Sequence, residues 1–162
     1  MMNIRNAEPR DAAGIAAVVH SIKDLDAIAG DSIGATTDKI RENLNGVNSA
    51  SSSAVLVAES EDGSILAYCA VHWVPLLFLP GGEAYVTELF VREHDSGKGI
   101  GSQLLDEVVA LATRQGCSRI SLLNGRLGQS YRRQFYAKRG WVERSEMANF
   151  ILPLKPVPAA EP

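Results

Sequence analysis

At 162 residues, with 46% hydrophobic and 22% charged side chains, the chain has the length and composition of one soluble globular domain with a full core. A net charge of -3 excludes a sequence-independent nucleic-acid binder, which needs a basic excess or stripe. No apolar run reaches the length of a membrane span, and charges stand in the opening MMNIRNAEPRD where a signal peptide needs its apolar segment, so a cytoplasmic protein is expected.

In chain order, NIRNA alternates as a short strand and Pro9 opens a helix on which Ile15, Val18, Val19 and Ile22 recur at helical spacing. TTDKIRENLNG predicts a second helix, with Thr37 as its cap and Gly46 as its end. Residues 48–53, NSASSS, read as a loop. SAVLVAES and SILAYCAVHWV are β-rich runs around the turn Glu61-Asp62-Gly63, which predicts a hairpin. PLLFLPGGE reads as a loop and AYVTELFV as the next strand. Ile100, Leu104, Val108 and Leu111 mark one face of a long helix from Gly99 to Gln115, capped by Gly116 and followed by the strand SRISLLN. GQSYRRQFYAKRG predicts a short helix closed by Gly140, and WVERSEMANFILPL two last strand-like pieces. The order β-α-α-β-β-β-α-β-α-β-β is a mixed α/β (α+β) arrangement, read as a single domain over 1–155 with a flexible tail at 156–162. Cys69 and Cys117 sit in or beside apolar runs and read as small buried hydrophobes, while His20, His72 and His94 are scattered, so no metal site is expected.

The stretch VTELFVREHDSGKGIGSQLL, residues 86–105, combines a carboxylate in an apolar strand with glycines at 97, 99 and 101 before a helix. Glycine there lets a backbone take positive φ or approach a ligand, and the first turn of a helix offers unpaired N–H groups to phosphate oxygens. A Walker loop fails because Gly99, not Ser or Thr, follows Lys98. A Rossmann fingerprint fails because its third glycine is Ser102 and Asn124 stands where the next strand should end on an acid.

The spacing resembles the Arg/Gln-x-x-Gly-x-Gly/Ala pattern that opens the long helix of the GNAT N-acetyltransferase superfamily. The resemblance covers nearly the whole chain. IRNAEPRDAAGIAAV is similar to that superfamily's first strand and helix, and ELFVREHDSGKGIGSQLLDEVVALATRQGCSRISLL to its strand-loop-helix-strand cofactor motif. QFYAKRGWVE is similar to its Tyr-x-x-x-Gly-Phe signature, with Trp141 in place of Phe. The resemblance implies a mostly antiparallel central sheet of about seven strands flanked by about four helices. It also implies acetyl-CoA as co-substrate, its pyrophosphate held by backbone amides of Ser96, Gly97, Lys98, Gly99, Ile100, Gly101 and Ser102. Ser96 stands where the family usually has Arg or Gln; the backbone donors survive that change.

Acetyl transfer from a thioester to an amine needs a base for the amine proton, a donor for the oxyanion and an acid for the departing thiolate. Val86, Glu88 and Phe90 are expected on one strand face, which gives the Glu88 carboxylate apolar neighbours and suits it to the base, against a surface pairing with Arg92. The resemblance implies the same role for Glu88, a main-chain N–H of Leu89 or Phe90 near a bulge as oxyanion donor, and pairing of Phe90 and Val91 with the pantetheine arm. It implies Tyr136 as acid, against a purely packing role beside Phe135. His72 reads as a hydrogen-bonded filler more than a pocket residue. Arg132, Arg133, Lys138 and Arg139 form a basic cluster, and Asp24, Asp26 and Asp31 lie in the variable region that would face an acceptor.

The expected function is therefore direct transfer of acetyl to a primary amine of a small molecule or peptide through a ternary complex. The alternatives are a CoA-binding sensor or regulatory module of the same fold, or an acyltransferase for another acyl group. No nucleic-acid or membrane partner is expected, and a homodimer is compatible with the family's C-terminal edge strands.

Overall fold

The computed structural model describes residues 2–23, 25 and 28–154. They fall into two compact units divided between Leu122 and Leu123, each taken by itself below.

In the first unit β1 (Asn3–Asn6) leads through a 3-10 turn (Pro9–Asp11) into α1 (Ala12–Ser21). Arg5 fixes that entry. Its guanidinium donates to both oxygens of buried Asp11, at 2.7 and 2.9 Å, and to both oxygens of Glu59 on the neighbouring strand, at 2.9 and 3.0 Å. The Asp11 carboxylate also accepts from the Glu8 backbone N–H at 2.7 Å. The Arg5 hydrogen bonds hold the Asp11 carboxyl below the usual carboxylate range. Gly14 lets α1 lie close to Ile65, because a Cβ there would run into the Ile65 side chain.

α2 (Ile33–Ser49) is longer than its sequence reading. Ser32 caps it by accepting from the Ala35 N–H at 3.1 Å, so Thr37 is interior, and the helix continues past Gly46 to Ser49. Gly46 costs helix stability but cannot end a helix that is held by packing of Leu44. β2 (Ser53–Glu59) and β3 (Ile65–Leu76) form the expected hairpin, with Gly63 at φ 82° and Asp62 accepting from the Ser64 N–H. β3 and β4 (Leu79–Val91) make a second, longer hairpin that absorbs most of the segment expected to be loop. Its register slips between Val74 and Leu76, around Pro75, which has no N–H to give to the ladder. A Cβ at Gly81 would overlap the Gly116 carbonyl, so this glycine permits close backbone contact as well as its positive φ. A 3-10 turn (Glu93–Asp95), α3 (Ile100–Arg114) and β5 (Arg119–Leu122) complete the unit.

The sheet order is β1-β2-β3-β4-β5, antiparallel except for the parallel β4–β5 pair. Alternate residues serve opposite faces. Val55, Val57, Tyr68 and Ala70 pack with Ile15 and Val18 of α1 and Leu44 of α2, and Leu56, Cys69, Val71 and Val86 pack with Leu104 and Val108 of α3. Coverage on both faces explains why β2 and β3 read as nearly continuous apolar runs. Cys69 belongs to this core, where burial pushes its thiol up to about 12, and Cys117 packs at its margin. No helix is long and apolar enough to cross a membrane among the described residues.

The second unit contains α4 (Gln129–Arg132) and a 3-10 turn (Ala137–Arg139). The single helix expected here is broken in two, because Gln134 takes a left-handed φ of 54°. The two further strands are not formed among the described residues, so the sheet has five strands where about seven were expected. Phe150 and Leu152 are 92% and 81% exposed, and an apolar run becomes a strand only with a partner ladder to join. Residues 155–162, most of them read as tail, lie outside the described residues, as do Asp24 and Asp26.

Candidate active site

A β-bulge decides where Glu88 points. In the β3–β4 ladder Val71 faces Val86 and Ala70 faces Glu88, leaving Thr87 as an extra residue without a partner. Val86 before the bulge and Leu89 after it pack toward α3, whereas Phe90 lies with Tyr68 and Ala70 on the side of α1 and α2. Glu88, opposite Ala70, joins that second side. Val86 and Glu88 therefore do not share a face, contrary to the simple alternation expected from sequence. The inserted Thr87 reverses the parity.

On its new side Glu88 is held by one strong contact. The Tyr68 hydroxyl donates to Glu88 Oε2 at 2.6 Å, and the Tyr68 ring lies 5.8 Å from that of Phe90. Burial, then the adjacent carboxylate, push the Tyr68 phenol far up, so it remains a hydrogen-bond donor at any working pH. The surface pairing with Arg92 is not made: Arg92 Nε donates to Asp95 Oδ2 at 2.6 Å.

Glu88 and Tyr68 line a cavity of about 470 Å³ between α2 and the sheet. His72 lines it too, half-buried and without a side-chain hydrogen bond among the described residues, so it is a wall residue where sequence favoured a hydrogen-bonded filler. Asp31, expected to face an acceptor, is instead paired with Lys39 at 2.8 Å.

Leu89, Phe90 and Val91 lie where β4 has lost one neighbour. β5 pairs only with Glu83–Val86, so beyond the bulge the β5 side of β4 has no strand partner among the described residues. Backbone groups on that side are free to bond an extended ligand. The glycine loop follows directly. Gly97 and Gly99 take φ of 85° and 83°, and a Cβ on either would meet no protein atom, so conformation and not crowding selects glycine. Gly99 caps α3 without a side-chain hydrogen bond, leaving first-turn N–H groups for an outside acceptor. Ile100 is buried and can offer only its backbone; Gly101 and Ser102 belong to the first turn of the helix. The third glycine therefore serves no positive φ.

Asp95 organises this loop. Buried between its neighbours, it accepts from Arg92 and from Lys98 Nζ at 2.7 Å, and Lys98 foremost holds its carboxyl below the usual range. Lys98, itself mostly exposed, thus braces the loop through Asp95. Asp95 escaped the sequence reading, although the spacing Arg92…Asp95…Lys98 carries the signal.

In the second unit Tyr136 is half-buried, edge-on to Phe135 at 4.9 Å and 5.7 Å from the Trp141 ring. Gly140 takes φ 82° and its N–H bonds the Ala137 carbonyl at 3.0 Å, which turns the chain back so that Trp141 reaches Tyr136.

The chain shares its fold with several solved acetyltransferases. Glucosamine-6-phosphate N-acetyltransferase from Arabidopsis thaliana is 17% identical with a TM-score of 0.74, over 94% of this chain and 99% of that one. An aminoglycoside acetyltransferase from an uncultured soil metagenomic sample, solved with sisomicin, is likewise 17% identical with a TM-score of 0.74, over 95% and 97%. A transcriptional regulator from Bacillus halodurans C-125 is 19% identical with a TM-score of 0.79, over 94% and 100%. Compared with the curated proteins, the chain finds no significant match. The Acetyltransferase (GNAT) family matches residues 22–141, most of the chain. The protein belongs to that family, whose members use acetyl-CoA as co-substrate.

Proposed function

We propose that the protein transfers an acetyl group from acetyl-CoA directly to a primary amine of a small molecule or peptide. The observation that carries this reading is the Thr87 bulge, which turns Glu88 onto the cavity wall under the Tyr68 hydroxyl. Glu88 takes the amine proton, directly or through water, as the amine approaches from the cavity. A main-chain N–H of Leu89 or Phe90 stabilises the oxyanion, and the backbone of Phe90 and Val91 holds the pantetheine arm. Ser96 to Ser102 bind the pyrophosphate through loop and first-turn N–H groups. Tyr136 protonates the departing thiolate; its support is the matched signature ending in Gly140 and the family match that includes it.

A CoA-binding regulatory module is the second reading, motivated by Ser96 at the usual Arg or Gln position. One assay separates the two: release of free thiol from acetyl-CoA over a panel of amines, with a coenzyme A thermal-shift control. Turnover with any amine eliminates the module. Glu88→Gln should lower kcat by about a hundredfold and Tyr136→Phe by roughly tenfold, and normal rates in both would remove these role assignments.

A further inference from the structure

Negative groups outnumber any positive one in the lining of the cavity beside Glu88. α2 forms one wall and contributes Glu42; the sheet forms the other and contributes Glu88; neither lysine nor arginine lines it among the described residues. Among the described residues His72 is the one lining group able to carry positive charge, so with both carboxylates ionised that lining stays net negative in either form of the imidazole. The same lining carries apolar side chains from both walls, Ile40, Leu44 and Val47 of α2 and Val55 of β2. A volume of about 470 Å³ lies within the range of small-ligand sites.

This distribution discriminates among amines. A carboxylate or phosphate on the acceptor would enter a cavity with two like charges and no lysine or arginine to pair with. A second ammonium, by contrast, gains Glu42 while the reacting amine meets Glu88, and a methylene chain between them covers the apolar wall. We propose that the acceptor is an alkyl amine with a second cationic group, a diamine or longer polyamine chain, with Glu42 as the residue that selects it. The inference rests on the acetyl-transfer reading for which amine reacts, but its binding component stands without turnover.

The test measures binding by calorimetry in the presence of coenzyme A, and separately kcat/KM for thiol release. The probes are linear α,ω-diamines, monoamines of the same chain length and ω-amino acids of that length. Diamines should bind roughly fivefold more tightly than monoamines, the size of a partly exposed ion pair, and ω-amino acids more weakly than either. Glu42→Gln should bring the diamine-to-monoamine ratio down to about two, the statistical factor for a symmetric diamine, and Glu42→Lys should reverse the order in favour of the ω-amino acid. Retained coenzyme A binding in both variants shows that they are folded. Equal affinity of the wild-type protein for diamine and monoamine overturns the inference, as does a ratio that Glu42→Gln leaves in place. Absence of thiol release with every amine, alongside the expected binding order, sinks the acetyl-transfer reading and leaves the cavity's selectivity intact.

Discussion

Tyr68 and Glu88 are diagonal neighbours across β3 and β4: Tyr68 is in register with Phe90 and Glu88 with Ala70, yet the phenol reaches the carboxylate at 2.6 Å. Diagonal contacts of this kind are within reach of aromatic side chains. Because the ring is buried against the α1–α2 core while the hydroxyl meets an exposed carboxylate, Tyr68 links the fixed interior to a group at the cavity surface.

Tyr68→Phe keeps the ring and removes the link. We expect kcat for thiol release to fall about three- to tenfold, in line with the loss of one hydrogen bond to a charged group, with coenzyme A affinity unchanged. Steady-state rates alongside coenzyme A titration check this. An unaltered kcat would mean that Glu88 needs no holding.

Pairing Thr87 by an insertion in β3 and replacing it should have opposite outcomes. One residue inserted between Ala70 and Val71 gives Thr87 a partner and restores simple alternation, which turns Glu88 to the face of Val86 only if Ala70, Tyr68 and Phe90 turn with it, at a cost of several kcal/mol or a refolded register. Thr87→Ala preserves the residue count and hence the bulge, so stability and thiol release should stay near wild type. Denaturant unfolding and the thiol assay on the pair distinguish a role for geometry from one for the threonine side chain.

Asp95→Asn weakens the clamp between Arg92 and Lys98 without emptying its space. The loop then samples more conformations, and the ordering cost falls on ligand binding. KM for acetyl-CoA should rise about tenfold while kcat changes little. A fall confined to kcat would contradict a role in cofactor binding.

Acid should unfold the protein through groups that pair in the native state. Asp11 and Asp95 are both held below their ordinary range in the fold, Asp11 by Arg5 and Asp95 by Lys98 and Arg92. A depressed carboxyl contributes stability that is fully present above its unfolded value of about 3.9 and is lost as pH falls through the lower folded value. Unfolding free energy should therefore decline below about pH 4, and Asp11→Asn should both lower stability at neutral pH and flatten that decline. Chemical denaturation at several pH values reads both effects.

Much of this was legible in the sequence. Alternation and helical spacing located β2, β3, β4 and α3, and the ordered motifs gave the family and its glycine loop. What escaped depends on contacts between segments distant in sequence. The bulge at Thr87 is a property of the β3–β4 pair and leaves no mark in the TEL tripeptide, so the face of Glu88 was misplaced. The link to Tyr68 needs that same register, with twenty residues between the partners. The true cap of α2 was missed because Ser32 precedes a glycine-containing turn with little helical pattern. Missing strands in WVERSEMANFILPL show the converse: apolar residues mark the wish to pair, and a partner must exist for a strand to form.

Among the described residues β4 is a central strand for part of its length and an edge for the rest, since four of its thirteen residues pair with β5. An open edge is a template on which another chain can add a strand, and proteins blunt such edges with bulges and with charges placed along them. Thr87 supplies the first device and Glu88 the second, at the point where the β5 pairing stops. The irregularity beside the cavity carboxylate thus also interrupts a regular edge on which another chain could add a strand.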